Sequence, residues 1–252
     1  MAQLRLQPLG EHWQARVDNA LAGPLQVELR AAPGRPVEGL PVQSLIQGDS
    51  SLVVGHLPAP SNGRTLDLRL QSVPGNPAAQ AEDVAYRLPF DTTRPRVDQA
   101  PQGRFSHDDE ENRDAVDFAL PEGTLVLAAR EGTVMQIQDG FRGNGQDRER
   151  DGARANFIRV LHSDGSMALY GHLQAGGMRV RRGRQWAPGS RSACPATAAT
   201  AARRTCTSWC RSTAAWACAR YRCASLQSRA SCSSPARARP TAVPGADRPW
   251  PV

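Results

Sequence analysis

The chain has 252 residues, contains no lysine and carries a formal net charge of +7 at pH 7. That charge is uneven, because ten arginines and a single acid, Asp247, lie beyond residue 190, whereas acids slightly outnumber arginines before it. The basic character therefore belongs to the tail and gives no reason to predict a specific nucleic-acid partner. No run of about 18 apolar residues is present, so no transmembrane segment is predicted.

Residues 1–90 are predicted to form a β-sandwich-like domain. Short segments that alternate between apolar and polar residues are separated by turn formers such as Pro33-Gly34 and Pro74-Gly75. Such alternation is typical of half-buried antiparallel strands. His12 and His56 have no metal-ligand spacing to any neighbour and are interpreted as ordinary surface histidines. The predicted strands are Leu25–Arg30, Ser51–His56 and Thr65–Leu70.

A Pro- and Arg-containing linker is predicted over 91–102, followed by a second strand-rich domain over 103–189. Leu125–Arg130 is predicted to pair with Thr133–Gln138 across Glu131-Gly132. Residues 139–155 are polar and glycine-rich, which predicts an exposed loop. No amphipathic helix is evident, so the chain is predicted to be mainly β. Further predicted strands are Ala115–Leu120, Asn156–His162 and Met167–Leu173, the last two forming a hairpin with its turn at Asp164-Gly165.

Three side chains of the second domain are candidates for chemistry: His107, Asp117 and His172. Asp117 stands between Val116 and Phe118 on an otherwise apolar strand, where burial is costly unless the carboxylate is paired or bound to a cation. Considered singly, His107 also fits a solvated loop because four acids follow it. His172 also fits a hydrogen-bonded strand histidine.

Four segments together carry a family resemblance: Arg104–His107, Ala115–Thr124, Val126–Val134 and Tyr170–Leu173. They closely resemble the lysostaphin-type (LytM-like) family of zinc metallopeptidases, which are peptidoglycan endopeptidases. The resemblance covers about residues 103–183. The first ninety residues look like the β-domain that often precedes this peptidase in bacterial envelope proteins. The implied fold is therefore a β-sandwich-like domain followed by an antiparallel β-sheet peptidase domain, incomplete at its C-terminal end.

The resemblance implies roles for individual residues. By the family pattern, His107 and Asp117 would bind zinc and His172 would assist catalysis, whereas His162 has no role. A downstream His-x-His would supply a second catalytic histidine and the third ligand. Catalytic zinc takes three protein ligands and one water, whose pKa the metal lowers to about 7. This chain has no His-x-His and no histidine after His172.

The tail over 190–252 is interpreted as disordered or out of frame. It holds all six cysteines, and Cys206 and Cys210 lack the second pair that a zinc cluster would need. Arg204–Cys210 can be encoded by bases that, read two nucleotides later, give His-Leu-His-Phe-Val. A reading-frame slip between about Arg182 and Ser190 would explain both the composition and the missing motif. A genuine basic, disordered tail is the alternative.

These observations predict a zinc metalloendopeptidase that cleaves peptide bonds in bacterial cell-wall peptidoglycan and is impaired in this chain. The alternative is a catalytically inactive LytM-like module that binds the cell wall or regulates an amidase. The family resemblance implies a periplasmic, cell-envelope or secreted location, although no signal peptide is visible. The sequence leaves the bond cleaved and the oligomeric state open.

Overall fold

The computed structural model describes residues 1–59, 66–91, 96–101, 115–142, 155–188 and 190, and the backbone of three short strands beyond them. This described part contains strands and no helix, which confirms the mainly β prediction. It consequently contains no helix long and apolar enough to cross a membrane. The strands are β1 (Ala2–Leu9), β2 (His12–Asn19), β3 (Leu25–Ala31), β4 (Val42–Ile46), β5 (Ser50–Pro58), β6 (Leu68–Pro74), β7 (Ala85–Tyr86), β8 (Arg96–Gln99), β9 (Val116–Ala119), β10 (Leu125–Val126), β11 (Gly132–Gln138), β12 (Phe157–Leu161), β13 (Met167–Tyr170), β14 (Gln185–Trp186), β15 (Cys194–Pro195), β16 (Thr205–Cys206) and β17 (Arg222–Cys223).

The first region consists of two three-stranded antiparallel sheets, ordered β1-β2-β5 and β4-β3-β6. Alternate residues of both sheets are buried in one cluster, as expected when two sheets cover a common core. Val17 and Leu57 come from one sheet, and Val27, Leu29 and Ile46 come from the other. The predicted strands at 25–30 and 51–56 are thus present as β3 and β5.

The second region is built around a four-stranded sheet ordered β13-β12-β11-β14. β12 and β13 form the predicted hairpin, with Val160 opposite Ala168 and Gly165 at φ 79° in its turn. The predicted pairing of residues 125–130 with 133–138 is wrong. β10 instead pairs with β15, while β11 pairs with β12 and β14. Alternation specifies which face a residue occupies but not which strand lies beside it, and this explains the error.

The central strand β11 is buried on both faces. Val134 joins a cluster with Ile158, Tyr170 and Trp186 inside the second region. Met135 points the other way and, with Met167, belongs to the core of the first region. The backbone reinforces this contact, since Ala22 N–H donates to the Met135 carbonyl at 3.0 Å. The two regions therefore share an apolar interface along one face of the four-stranded sheet.

The segment that follows the first region is attached to the second region beside a buried ion pair between Arg130 and Asp164. Arg130 lies 2.7 Å from Asp164 and 3.6 Å from Glu82, and the side chains of Arg130 and Asp164 are only 12% and 2% exposed. Asp164 also accepts hydrogen bonds from the Glu82 N–H and from the Ser166 hydroxyl. Nearby, Arg87 N–H donates to the Ala129 carbonyl. These contacts attach residues 82–87 to the second region.

Three strand pairs join the tail to earlier segments. β15 pairs with β10 and β16 pairs with β9, both antiparallel, and β17 pairs with β7 in parallel. β9 has a second partner, β8, which lies within residues 91–102. The remainder of the tail lies outside the described residues.

Candidate active site

Asp117 lies on β9 between two neighbouring strands. Its register partners are Gln99 on β8 and Thr205 on β16. The residue is 6% exposed, and the adjoining Phe118 is 5% exposed in a T-shaped contact with Phe90. A carboxylate in such surroundings is held in a defined position by its strand, and its charge is poorly screened by water.

His172 follows β13 after one residue, Gly171, and is exposed. Its φ of 55° lies in the left-handed region, which non-glycine residues seldom adopt. The preceding strand is fixed by Tyr170, which is fully buried, stacks edge-on against Trp186 and accepts a hydrogen bond from the Ala129 N–H at 2.9 Å. The histidine is therefore presented from the end of an anchored strand.

Asp117 and His172 interact electrostatically. Although its side chain has accessible surface, His172 is surrounded by enough protein that desolvation lowers its pKa, and the nearby charge of Asp117 acts in the opposite direction. The net direction is downward, which favours a neutral imidazole at neutral pH. A neutral imidazole can accept a proton or donate a hydrogen bond to a reacting group.

Two hydrogen-bonding side chains that the sequence analysis did not select lie beside the His172 turn. Asn156, which is 4% exposed, donates to the Leu173 carbonyl at 3.0 Å. Asp139 accepts a hydrogen bond from Gly176 N–H at 2.8 Å. In the sequence, Asn156 stands alone between a polar loop and an apolar strand. It belongs to no motif, and an asparagine at such a place is also typical of an ordinary turn.

The remaining candidate and the other buried histidine stand as follows. His107, predicted to bind zinc together with Asp117, lies outside the described residues. His162 is 3% exposed and donates from Nδ1 to the Glu131 carbonyl at 2.7 Å. Burial lowers its pKa, and the Glu131 hydrogen bond opposes this shift. No group of three or more potential metal-binding His, Cys, Asp or Glu residues is found among the residues that the structure describes.

Comparison with known proteins identifies the second region. Residues 111–191 match the sequence model of peptidase family M23. This match to the M23 (LytM-type) peptidase family confirms the resemblance seen in the sequence. No curated protein matches the chain. A crystal structure from Pseudomonas aeruginosa, provisionally described as a peptidase M23, is 16% identical, with a TM-score of 0.30, over 81% of this chain and 87% of that one.

Proposed function

We propose that the chain is, by descent, a zinc endopeptidase that cleaves peptide bonds in bacterial cell-wall peptidoglycan. The observation that carries the proposal is the buried Asp117 within electrostatic reach of His172, inside the region that matches the peptidase family. This pairs a fixed anionic oxygen donor with an imidazole suited to proton transfer. The family match by itself supports a peptidase activity. The zinc ion and the cell-wall substrate are what we propose in addition.

The described donors do not by themselves fit a catalytic zinc site. Such a site takes three protein ligands, and of the predicted ligands only Asp117 is described. His107 would add one ligand, and the His-x-His that should supply another is missing from the sequence. We therefore propose that the chain as written binds zinc weakly and hydrolyses cell wall poorly.

The register of β16 supports the proposed reading-frame slip. Thr205 lies directly opposite Asp117 on the neighbouring strand. Read two nucleotides later, the codons that begin at Arg204 allow His-Leu-His, and its first histidine straddles the codons of Arg204 and Thr205. Residues i and i+2 of a strand point to the same side, so both histidines would face one side of this strand. Corrected translation would thus bring the missing imidazoles onto the strand beside Asp117.

The test compares the chain as written with a version corrected by two nucleotides. We expect zinc stoichiometry and hydrolysis of purified peptidoglycan to rise together in the corrected protein. Asp117→Ala should then abolish both, whereas His172→Ala should retain zinc and lower the rate by about 10²–10⁴-fold, the usual contribution of a proton-transfer group. Tight equimolar zinc with robust hydrolysis by the uncorrected chain would contradict the proposal, as would loss of zinc in His172→Ala.

A second candidate function is a catalytically inactive module that binds the cell wall or regulates an amidase. The absence of any His-x-His from the sequence favours it. Peptidoglycan pull-down separates the two functions, since an inactive module should bind peptidoglycan with unchanged affinity after Asp117→Ala. Either function implies a location in the periplasm or cell envelope or outside the cell, which we propose on the family resemblance.

A further inference from the structure

Asn156 makes an unusual set of contacts for one residue. Its Oδ1 accepts a hydrogen bond from Phe141 N–H at 2.9 Å, and its Nδ2 donates to the carbonyls of Phe141 at 2.8 Å and Leu173 at 3.0 Å. Its own backbone carbonyl accepts from Leu173 N–H at 3.2 Å. The backbone N–H and C=O of Leu173 are therefore both engaged by Asn156, which lies just before β12.

The neighbour of Leu173 requires such a restraint. His172 has a φ of 55°. This conformation is unfavourable for any residue that has a β-carbon, and it persists only when the surrounding structure holds it. The residues on either side of the turn, Tyr170 before it and Leu173 after it, are both fully buried. They therefore restrain the backbone of His172 from both directions.

The far end of the same turn is also held. Asp139 Oδ1 accepts hydrogen bonds from Gly176 N–H and from its own neighbour, Gly140 N–H, both at 2.8 Å. Asp139 and Phe141 belong to one segment that follows β11, and this segment reaches the His172 turn directly through Asp139 and indirectly through the bonds between Phe141 and Asn156. Asn156 is the buried member of this frame, whereas Asp139 is exposed.

We propose that Asn156 is a positioning residue that fixes the backbone and the imidazole of His172 through Leu173. The chemical meaning of that position rests on the proposed function, but the positioning itself does not. Loss of the Asn156 amide releases the Leu173 carbonyl, loosens the strained residue before it and lets the imidazole sample other orientations. The effect is local to the turn, because Tyr170 still anchors β13 in the core.

The chain offers a matched control in Asn19. This asparagine is 3% exposed, its Oδ1 accepts from Leu21 N–H, and its Nδ2 lies within hydrogen-bond distance of the carbonyls of Gly23, Ile46 and Gln47. Asn19→Ala and Asn156→Ala therefore remove comparable buried hydrogen bonds. Both should lower the thermal midpoint, but only Asn156→Ala removes a support of His172.

The experiment records the imidazole Cε1–H signals of the full chain by NMR, with that of His172 assigned by its loss in His172→Gln. We expect Asn156→Ala to shift or broaden the His172 signal. The Leu173 N–H keeps its bond to the Asn156 backbone carbonyl, but the side-chain bond to the Leu173 carbonyl is lost, so local opening becomes easier by about 1.4 kcal/mol and exchange of the Leu173 amide should be about tenfold faster. Asn19→Ala should leave both unchanged. If Asn156→Ala folds poorly, Asn156→Asp keeps the acceptor for Phe141, loses both donated bonds and should give the same change.

Equal His172 signals and equal Leu173 exchange in the Asn156 and Asn19 variants would overturn the proposal and reduce Asn156 to a buried hydrogen-bonding residue. In the protein corrected by two nucleotides, Asn156→Asp should lower kcat with little change in KM or zinc content. If turnover is unaffected while the His172 signal moves, the positioning role stands and the catalytic assignment of His172 fails. The two proposals thus fail in distinguishable ways.

Discussion

The two regions of the molecule hold their strands together in different ways. In the first region every strand pair joins segments within residues 2–74, whether the strands are neighbours along the chain, as β1 with β2, or not, as β2 with β5 and β3 with β6. In the second region β10 pairs with β15 and β9 with β16, and both of these partners lie in the tail, while β9 also pairs with β8. The strand that carries Asp117 therefore depends on segments from outside the central sheet of the second region, whereas the two sheets of the first region are built from residues 2–74 alone.

The largest expected effect comes from breaking the buried Arg130–Asp164 ion pair of the second region, to which Glu82 also attaches. Asp164→Ala leaves the Arg130 guanidinium buried without its closest carboxylate, and such losses cost about 3–5 kcal/mol. Urea unfolding of the full chain measures this free energy. The control is Asp67→Ala, whose partner Arg35 is 3.9 Å away and exposed. Equal losses in both variants would show that the pair does not hold the second region together.

The shared interface gives the next largest effect. Met135→Ala removes a fully buried side chain from β11 that packs in the core of the first region, and such truncations cost about 2–5 kcal/mol. Because both regions lose contact, we expect one cooperative thermal transition at a lower midpoint. Leu52→Ala, at a position 40% exposed, should change stability by less than about 0.5 kcal/mol. Two transitions, of which only one shifts, would show that the regions unfold independently.

Lowering the pH should weaken the Arg130–Asp164 ion pair less than Asp164→Ala does. Burial acts to raise the pKa of Asp164, but hydrogen bonds from Ser166, Arg130 and the Glu82 backbone outweigh it and hold the pKa well below its usual range. A lowered folded-state pKa means that the stabilisation is present above the usual value of about 4 and is lost as pH falls below it. The protonated carboxyl still forms hydrogen bonds, so the loss is smaller than in Asp164→Ala.

Unfolding free energies measured between pH 6 and pH 3 test this expectation against Asp164→Asn. The variant should show a shallower decline below pH 4 than the wild-type chain, because it lacks the group whose proton binding differs between the folded and unfolded states. Parallel declines in the two proteins would contradict the assignment of this acid sensitivity to Asp164.

The smallest effect is expected at a surface contact between the regions. Arg182 lies beside Asp49 of the first region, and both side chains are about half exposed, at 44% and 54%. Exposed ion pairs contribute about 0–1 kcal/mol and are screened by salt. Arg182→Ala should therefore lower the free energy of unfolding by less than about 1 kcal/mol, and the difference should vanish at 1 M NaCl. A larger, salt-independent loss would show that this ion pair, rather than Met135, contributes most of the stability of the interface.

The sequence predicted much of the fold because the strands alternate strongly. The β12–β13 hairpin followed from the Asp164-Gly165 turn, and the burial of Asp117 followed from its apolar neighbours. The pairing of β10 could not be predicted, since its partner is a two-residue strand nearly seventy positions away. Sequence patterns specify a face and a turn, but the choice of partner among distant strands is made by tertiary packing.

The site was predicted only as far as its motifs reach. Asp117 and His172 stand in recognisable segments, and their electrostatic interaction is consistent with one site. Asn156 was not selected, because its importance lies in backbone groups of Phe141 and Leu173 that no side-chain pattern records. Contacts to backbone atoms leave little trace in the identity of the residues contacted.

The two-sided burial of β11 also limits how this chain can vary in length. Val134 and Met135 point into different cores, so inserting or deleting one residue in this strand would exchange the two sets of side chains. The pairing of β11 with β12 already contains one irregularity, a bulge between Val134 and Gln136. Among relatives, gaps in an alignment should therefore fall outside residues 132–138, and the loop that follows should absorb them.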